Sequence, residues 1–181
     1  MSTSLSIRAV DKIYHPRGRS AVHAVKALSM DVGRGEIVAL LGSSGCGKTS
    51  TLRMIAGFEE VSAGSIALAD RRVESLAPAA RNVAMAFEGY SLYPPLTVRE
   101  NIAFALKRGR LSASDVARRV QQMAALVEIE SILDRYPSSI SGGQQQRASL
   151  ARALVRDADL YVLANRWVSS SRSCAPCCAV G

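Results

Sequence analysis

Eight consecutive residues, Gly42-Ser43-Ser44-Gly45-Cys46-Gly47-Lys48-Thr49, carry the most specific chemistry in the chain. They satisfy the phosphate-loop spacing G-x-x-x-x-G-K-[ST] at every fixed position. Glycine at these positions lets backbone N–H groups turn toward phosphate oxygens without a side chain in the way. A helix starting at the end of the loop adds partial positive charge at its N-terminus. Lys48 can reach β- and γ-phosphates, and the Thr49 hydroxyl can bind Mg²⁺. Cys46 fills a variable position as a reduced thiol.

Such a loop works only between a strand and a helix. The apolar run Glu36-Ile37-Val38-Ala39-Leu40-Leu41 predicts the strand, and Thr49 to Ala56 the helix. Leu5 to Val10 and Val22 to Val32 read as earlier strands, Ser65 to Ala69 and Val83 to Phe87 as later ones. The pattern then turns helical over Val98–Leu106, Ser114–Val127 and Gly143–Arg156, before a short apolar strand at Leu160–Leu163. Thr97 and Glu100 form a capping box for the first of these helices. A strand, phosphate loop and helix followed by further strands make an α/β core.

A second motif narrows the class. Ser141-Gly142-Gly143-Gln144-Gln145-Gln146-Arg147 opens an amphipathic run, with Ser141 suited to cap it. With the phosphate loop about a hundred residues upstream, the chain resembles the ATP-binding subunits of ABC transporters, whose signature is L-S-G-G-Q; Ile140 stands where Leu is usual. The resemblance implies a P-loop NTPase core with a helical subdomain, ATP and Mg²⁺ as cofactors, and a head-to-tail dimer with a second ATP-binding subunit. Residues Gly42 to Ser50, including Ser44 and Ser50, would hold one ATP. Ser141, Gly142, Gly143 and Gln144 would meet the γ-phosphate of the ATP on the partner. A hydroxyl, glycine backbone and a helix N-terminus suit that anion. Kinases and recombinases share the phosphate loop, but the S-G-G-Q-Q-Q-R segment argues against them.

The resemblance runs in order to about Leu163. Tyr14 matches the aromatic that stacks on adenine; the same residue also reads as an ordinary strand-end tyrosine. In Val83-Ala84-Met85-Ala86-Phe87-Glu88-Gly89-Tyr90-Ser91-Leu92-Tyr93-Pro94, Glu88 occupies the position of a glutamine that touches Mg²⁺ and the attacking water. A carboxylate still suits Mg²⁺, with added negative charge near the γ-phosphate. Lys48 and Glu88 are thus the candidate catalytic groups, and Thr49 and Glu88 the candidate Mg²⁺ ligands. Tyr90 to Pro94 and Leu96 to Ile102 look most like importers of the maltose and glycerol-phosphate type. The expected division is a core at 1–87 and 148–163, with a helical subdomain over about 88–147.

The likeness breaks after Leu163. The family strand ends in Asp-Glu-Pro, the first for the Mg²⁺ shell and the second to activate water. Here the chain reads Ala164-Asn165-Arg166-Trp167, and its two histidines, His15 and His23, both precede the phosphate loop, so the family's switch histidine is missing as well. Residues Ala164 to Gly181 contain no Asp or Glu and hold three of the four cysteines. Codons can be chosen for this tail that, read one frame over, spell Glu-Pro-Met-Gly-Gln-Leu-Glu-Pro. One base deleted from an Asp codon would turn Asp-Glu-Pro into Ala-Asn-Arg. The expectation is a frameshifted, disordered tail and a core incomplete at its C-terminus, the alternative being a divergent natural tail. Cys174, Cys177 and Cys178 have two-residue spacing but too few partners for zinc.

Composition fits one α/β domain. The chain has 181 residues, 48% of them hydrophobic, and net charge +8. Its basic residues are scattered in pairs such as Arg71-Arg72, Lys107-Arg108 and Arg118-Arg119, the last on an amphipathic helix as a solvated face, and no nucleic-acid partner is expected. No uncharged apolar run reaches membrane-spanning length, and Met1 to Leu5 lack a signal pattern. The implied function is an energy-coupling ATPase subunit, bound to transmembrane permease subunits at the cytoplasmic face of the plasma membrane. The missing carboxylates leave open a module that binds ATP without hydrolysing it, or an inactive truncated product.

Overall fold

The computed structural model describes residues 3–18, 20–87, 91–107 and 111–164. Six strands and four α-helices alternate among them in α/β fashion. The described chain divides into two compact units, one up to residue 83 and one from residue 84.

The first unit is built on an antiparallel sheet in the order β2-β1-β3-β4. Its strands are β1 (Thr3–Tyr14), β2 (Val22–Gly33), β3 (Ala63–Leu68) and β4 (Arg71–Arg72). Alternation sets the buried face: Leu5 and Ile7 of β1 lie opposite Leu68 and Ile66 of β3, and all four are buried. Helix α1 (Lys48–Ala56) buries Thr51, Met54, Ile55 and Ala56. It ends at Gly57, whose left-handed backbone directs its N–H back to Arg53 and Met54 carbonyls.

The second unit pairs β5 (Val83–Ala86) with β6 (Leu160–Leu163). Helices α2 (Val98–Phe104), α3 (Ala113–Leu126) and α4 (Gly142–Leu154) share one apolar core, with Val98, Ile102, Val120, Ala124, Ala148 and Ala151 at its centre. α4 continues without a break from the glycines of the second motif to Leu154, across residue 147. Asn101, fully buried, organises the loop before α2: its Oδ1 accepts from the Tyr93 amide, and its Nδ2 donates to the carbonyls of Tyr93, Leu96 and Thr97.

One expected element is absent. Residues 36–41 form no strand and make only an isolated bridge at Ala39. A strand exists through the backbone groups of a neighbour, and none takes up this run among the described residues. Ile37 is accordingly 95% exposed and Leu41 67% exposed. β1 is longer than expected and reaches Tyr14, because pairing with β2 resumes beyond the irregularity at Ala9, where φ is +45°.

Candidate nucleotide-binding site

The glycine loop delivers its backbone to the N-terminus of α1. Gly47 is the N-cap, at φ +91°, and no side chain caps the helix. No acidic residue occupies the first turn. The leading amides of α1 therefore lack a protein acceptor of the usual kind and keep their attraction for an anion. Gly47 also admits no substituent, since a Cβ would lie 2.4 Å from the Ala24 carbonyl oxygen. Gly45, at φ +85°, faces open space. Lys48 Nζ donates to the carbonyls of Gly42 (2.7 Å) and Ser43 (2.8 Å), and lies 3.4 Å from Cys46 Sγ. The lysine thus closes the loop on itself. The same ammonium can exchange these carbonyls for phosphate oxygens. Ser44 and Thr49 are exposed, so the Thr49 hydroxyl is accessible to a cation.

Tyr14, from the end of β1, meets the same helix. Its hydroxyl lies 2.9 Å from Ser50 Oγ and donates to the Glu59 carboxylate. Glu59 is held in turn by Lys12 (3.8 Å) and Arg53 (3.4 Å). Burial, and then the hydrogen bond to Glu59, push the Tyr14 hydroxyl above its ordinary pKa, so it stays a donor. The structure therefore brings Tyr14, at the end of β1, against Ser50 in the first turn of α1, two elements far apart in sequence.

Ser141 caps α4 through a capping box with Gln144. Ser141 Oγ accepts from the Gln144 amide (3.3 Å), and Gln144 Oε1 accepts from the Ser141 amide (2.9 Å). Because Oγ is used as an acceptor, its hydrogen remains for an external anion. Ser141, Gly142 and Gly143 are exposed, and a Cβ on Gly143 would meet nothing within 4 Å. A planar or tetrahedral anion can approach this end closely.

The end of β6 carries no acid. Ala164 follows Leu163, and its amide donates to the Ala86 carbonyl at 2.9 Å. Glu88 and the tail from Asn165, with its three cysteines, lie outside the described residues. No cluster of three metal-ligating side chains occurs among the described residues. The uncapped start of α1 and Lys48 suit a polyphosphate, and of the two candidate Mg²⁺ ligands, Thr49 and Glu88, only Thr49 lies among the described residues.

Two supporting residues escaped the sequence reading. Arg81, only 2% exposed, donates from Nε to the Leu76 carbonyl, from Nη1 to Met54 and Ile55, and from Nη2 to Glu74. It ties the C-terminal end of α1 to the segment after β4. Glu59 is the second. Its place between α1 and β3 was legible, but nothing in the spacing announces Tyr14 as its partner.

Comparison with known proteins follows the same lines. The ABC transporter family profile matches residues 25–165. An sn-glycerol-3-phosphate import ATP-binding protein of Agrobacterium fabrum is 43% identical over 152 residues, 84% of this chain and 42% of that protein. A trehalose import ATP-binding protein of Mycobacterium tuberculosis is 44% identical over 154 residues, 85% of this chain and 38% of that protein. The chain thus spans about two fifths of the length of these curated relatives. Among solved structures, the dimeric ATP-binding cassette MJ0796 bound to ADP and Pi superposes with TM-score 0.79 at 25% identity, over 88% of this chain and 72% of that one.

Proposed function

The chain belongs to the ABC transporter family, and on that premise we propose that it is the ATP-binding subunit of an importer for a sugar or glycerol-phosphate type of solute. The observation that carries this reading is the uncapped N-terminus of α1, presented by a complete phosphate loop with Lys48 and Thr49 at its end. The names of the relatives, importers of glycerol phosphate and trehalose, support the solute class.

When bound, ATP supplies the phosphoanhydride whose binding and hydrolysis drive transport. Gly42 to Ser50 hold its phosphates, Lys48 neutralises them, Thr49 takes Mg²⁺ and Tyr14 meets the base. Ser141, Gly142, Gly143 and Gln144 serve a second subunit's ATP in a head-to-tail dimer. In this reading the segment around Glu88 would meet transmembrane permease subunits, with the chain at the cytoplasmic face of the membrane. No described helix is long and apolar enough to cross a membrane itself. In this reading residues 1–87 and 148–163 make the nucleotide core, and about 88–147 the helical subdomain.

A second reading is favoured by Ala164. A methyl group stands where the family places a carboxylate, and Asn165 stands where it places the general base. The chain as written binds MgATP and turns it over slowly, with Glu88, at the family's glutamine position, the remaining candidate acid. Equilibrium binding of a fluorescent ATP analogue tests both readings together. Displacement by ATP but not by AMP is expected, and an analogue that is not displaced by ATP contradicts them.

A further inference from the structure

Tyr14 is not simply near α1; it is fastened to it from two sides. A phenol has one hydrogen to give. Tyr14 gives it to Glu59, so the 2.9 Å contact with Ser50 has Ser50 as donor. Glu59 itself is fixed by Lys12 and Arg53. Lys12 also donates to the Glu60 carbonyl at 2.8 Å, and its ammonium lies 4.9 Å from the centre of the Tyr14 ring. One face of the ring is thereby covered by a cation. A flat ligand can stack only on the other.

We propose that Glu59 is a positioning residue of the nucleotide site, which locks Tyr14 to the first turn of α1 through Ser50. The surface that meets the base and the loop that grips the phosphates then form one rigid frame. Ring placement is decided before the nucleotide arrives, and binding does not have to order it. Lys12 has a double part: it holds Glu59 and selects the ring face left for adenine. This rests on the nucleotide-binding reading above and goes further, because it assigns base recognition to a carboxylate that does not touch the base.

The test separates base from phosphate recognition. Binding of MgATP and of magnesium tripolyphosphate is measured for the full chain and for Glu59→Ala, Glu59→Gln, Tyr14→Phe and the Glu59→Ala/Tyr14→Phe double variant. Loss of one hydrogen bond to a charged group is expected to weaken MgATP by about tenfold in Glu59→Ala and in Tyr14→Phe. Tripolyphosphate should stay within about twofold in both, since the phosphate loop is untouched. The double variant should be no worse than either single one, because both remove the same link. Glu59→Gln keeps an acceptor and should retain most of the ATP affinity, which guards against a loss of folding in Glu59→Ala. Equal weakening of both ligands, additive losses in the double variant, or a wild-type chain that does not prefer ATP over tripolyphosphate would each overturn the proposal. Failure of the nucleotide reading is a different result: a wild-type chain that binds neither ligand.

Discussion

The amide of Ala164 donates to the carbonyl of Ala86 at 2.9 Å, which holds the residue after β6 against the end of β5. The chain reaches Glu88 two residues later. Position 164 is therefore a fixed point of the fold, where a carboxylate would be held in place by the backbone, and it carries a methyl group instead.

Hydrolysis should accordingly be near background. A general base contributes roughly 10²–10⁴ in rate, and the missing Mg²⁺-shell acid adds to the loss. Replacing Ala164 by Asp, together with the in-frame continuation beginning Glu-Pro, should raise ATP turnover by at least that factor. Fast, Lys48-dependent phosphate release by the chain as written would show that another group activates water, with Glu88 the first to be substituted.

Arg81 should be a stability residue without a role at the phosphates. Its guanidinium is almost fully buried, its burial pushes its pKa down, and it donates to four backbone carbonyls. Arg81→Met should destabilise the chain by about 3–5 kcal/mol, as buried hydrogen-bond networks do when one member is removed. Denaturant unfolding measures this. A change below about 1 kcal/mol would mean that α1 is anchored elsewhere.

Gly47→Ala should fail on two counts. The backbone is left-handed there, and a Cβ would press on the Ala24 carbonyl oxygen at 2.4 Å. The loop must shift, so nucleotide affinity and thermal stability should fall together. Gly143→Ala, where the added methyl meets nothing, should leave stability nearly unchanged and serves as the comparison. A Gly47→Ala variant with native melting and native affinity would refute the loop geometry.

The α2 cap gives an acid dependence of defined sign. The Glu100 carboxyl is held below its ordinary value, first by the Thr97 amide and then by the Thr97 hydroxyl. A lowered folded-state pKa means that the cap stabilises fully above the ordinary carboxylate value and is lost as pH falls through the lower one. Glu100→Gln should flatten the acid side of a stability-against-pH curve below about pH 4.3 and leave the neutral side nearly parallel to wild type. Identical acid limbs would remove the cap from the list of contributors.

What could be read from sequence was local. The N-terminus of α1 and the Thr97–Glu100 capping box depend on spacings of a few residues, and each is formed where the pattern placed it. Ser141 caps α4 as its residue type suggests, although its reciprocal bond with Gln144 was not anticipated. Residues 36–41 show the opposite case. Their apolar run looked like a strand, but a strand is a relation between two segments, and hydrophobicity alone does not supply the second. Arg81 and Glu59 were illegible for a similar reason. Their partners are backbone carbonyls and a tyrosine brought from elsewhere in the chain, and no periodicity encodes that.

The most direct measurement of the central claim is titration calorimetry of MgATP into the purified chain and its Lys48→Ala variant. Saturable binding near one nucleotide per chain, lost on substitution of Lys48, is the expected result. Equal affinity in the two proteins would contradict the phosphate-loop site, and with it the assignment of this chain as an ATP-binding subunit.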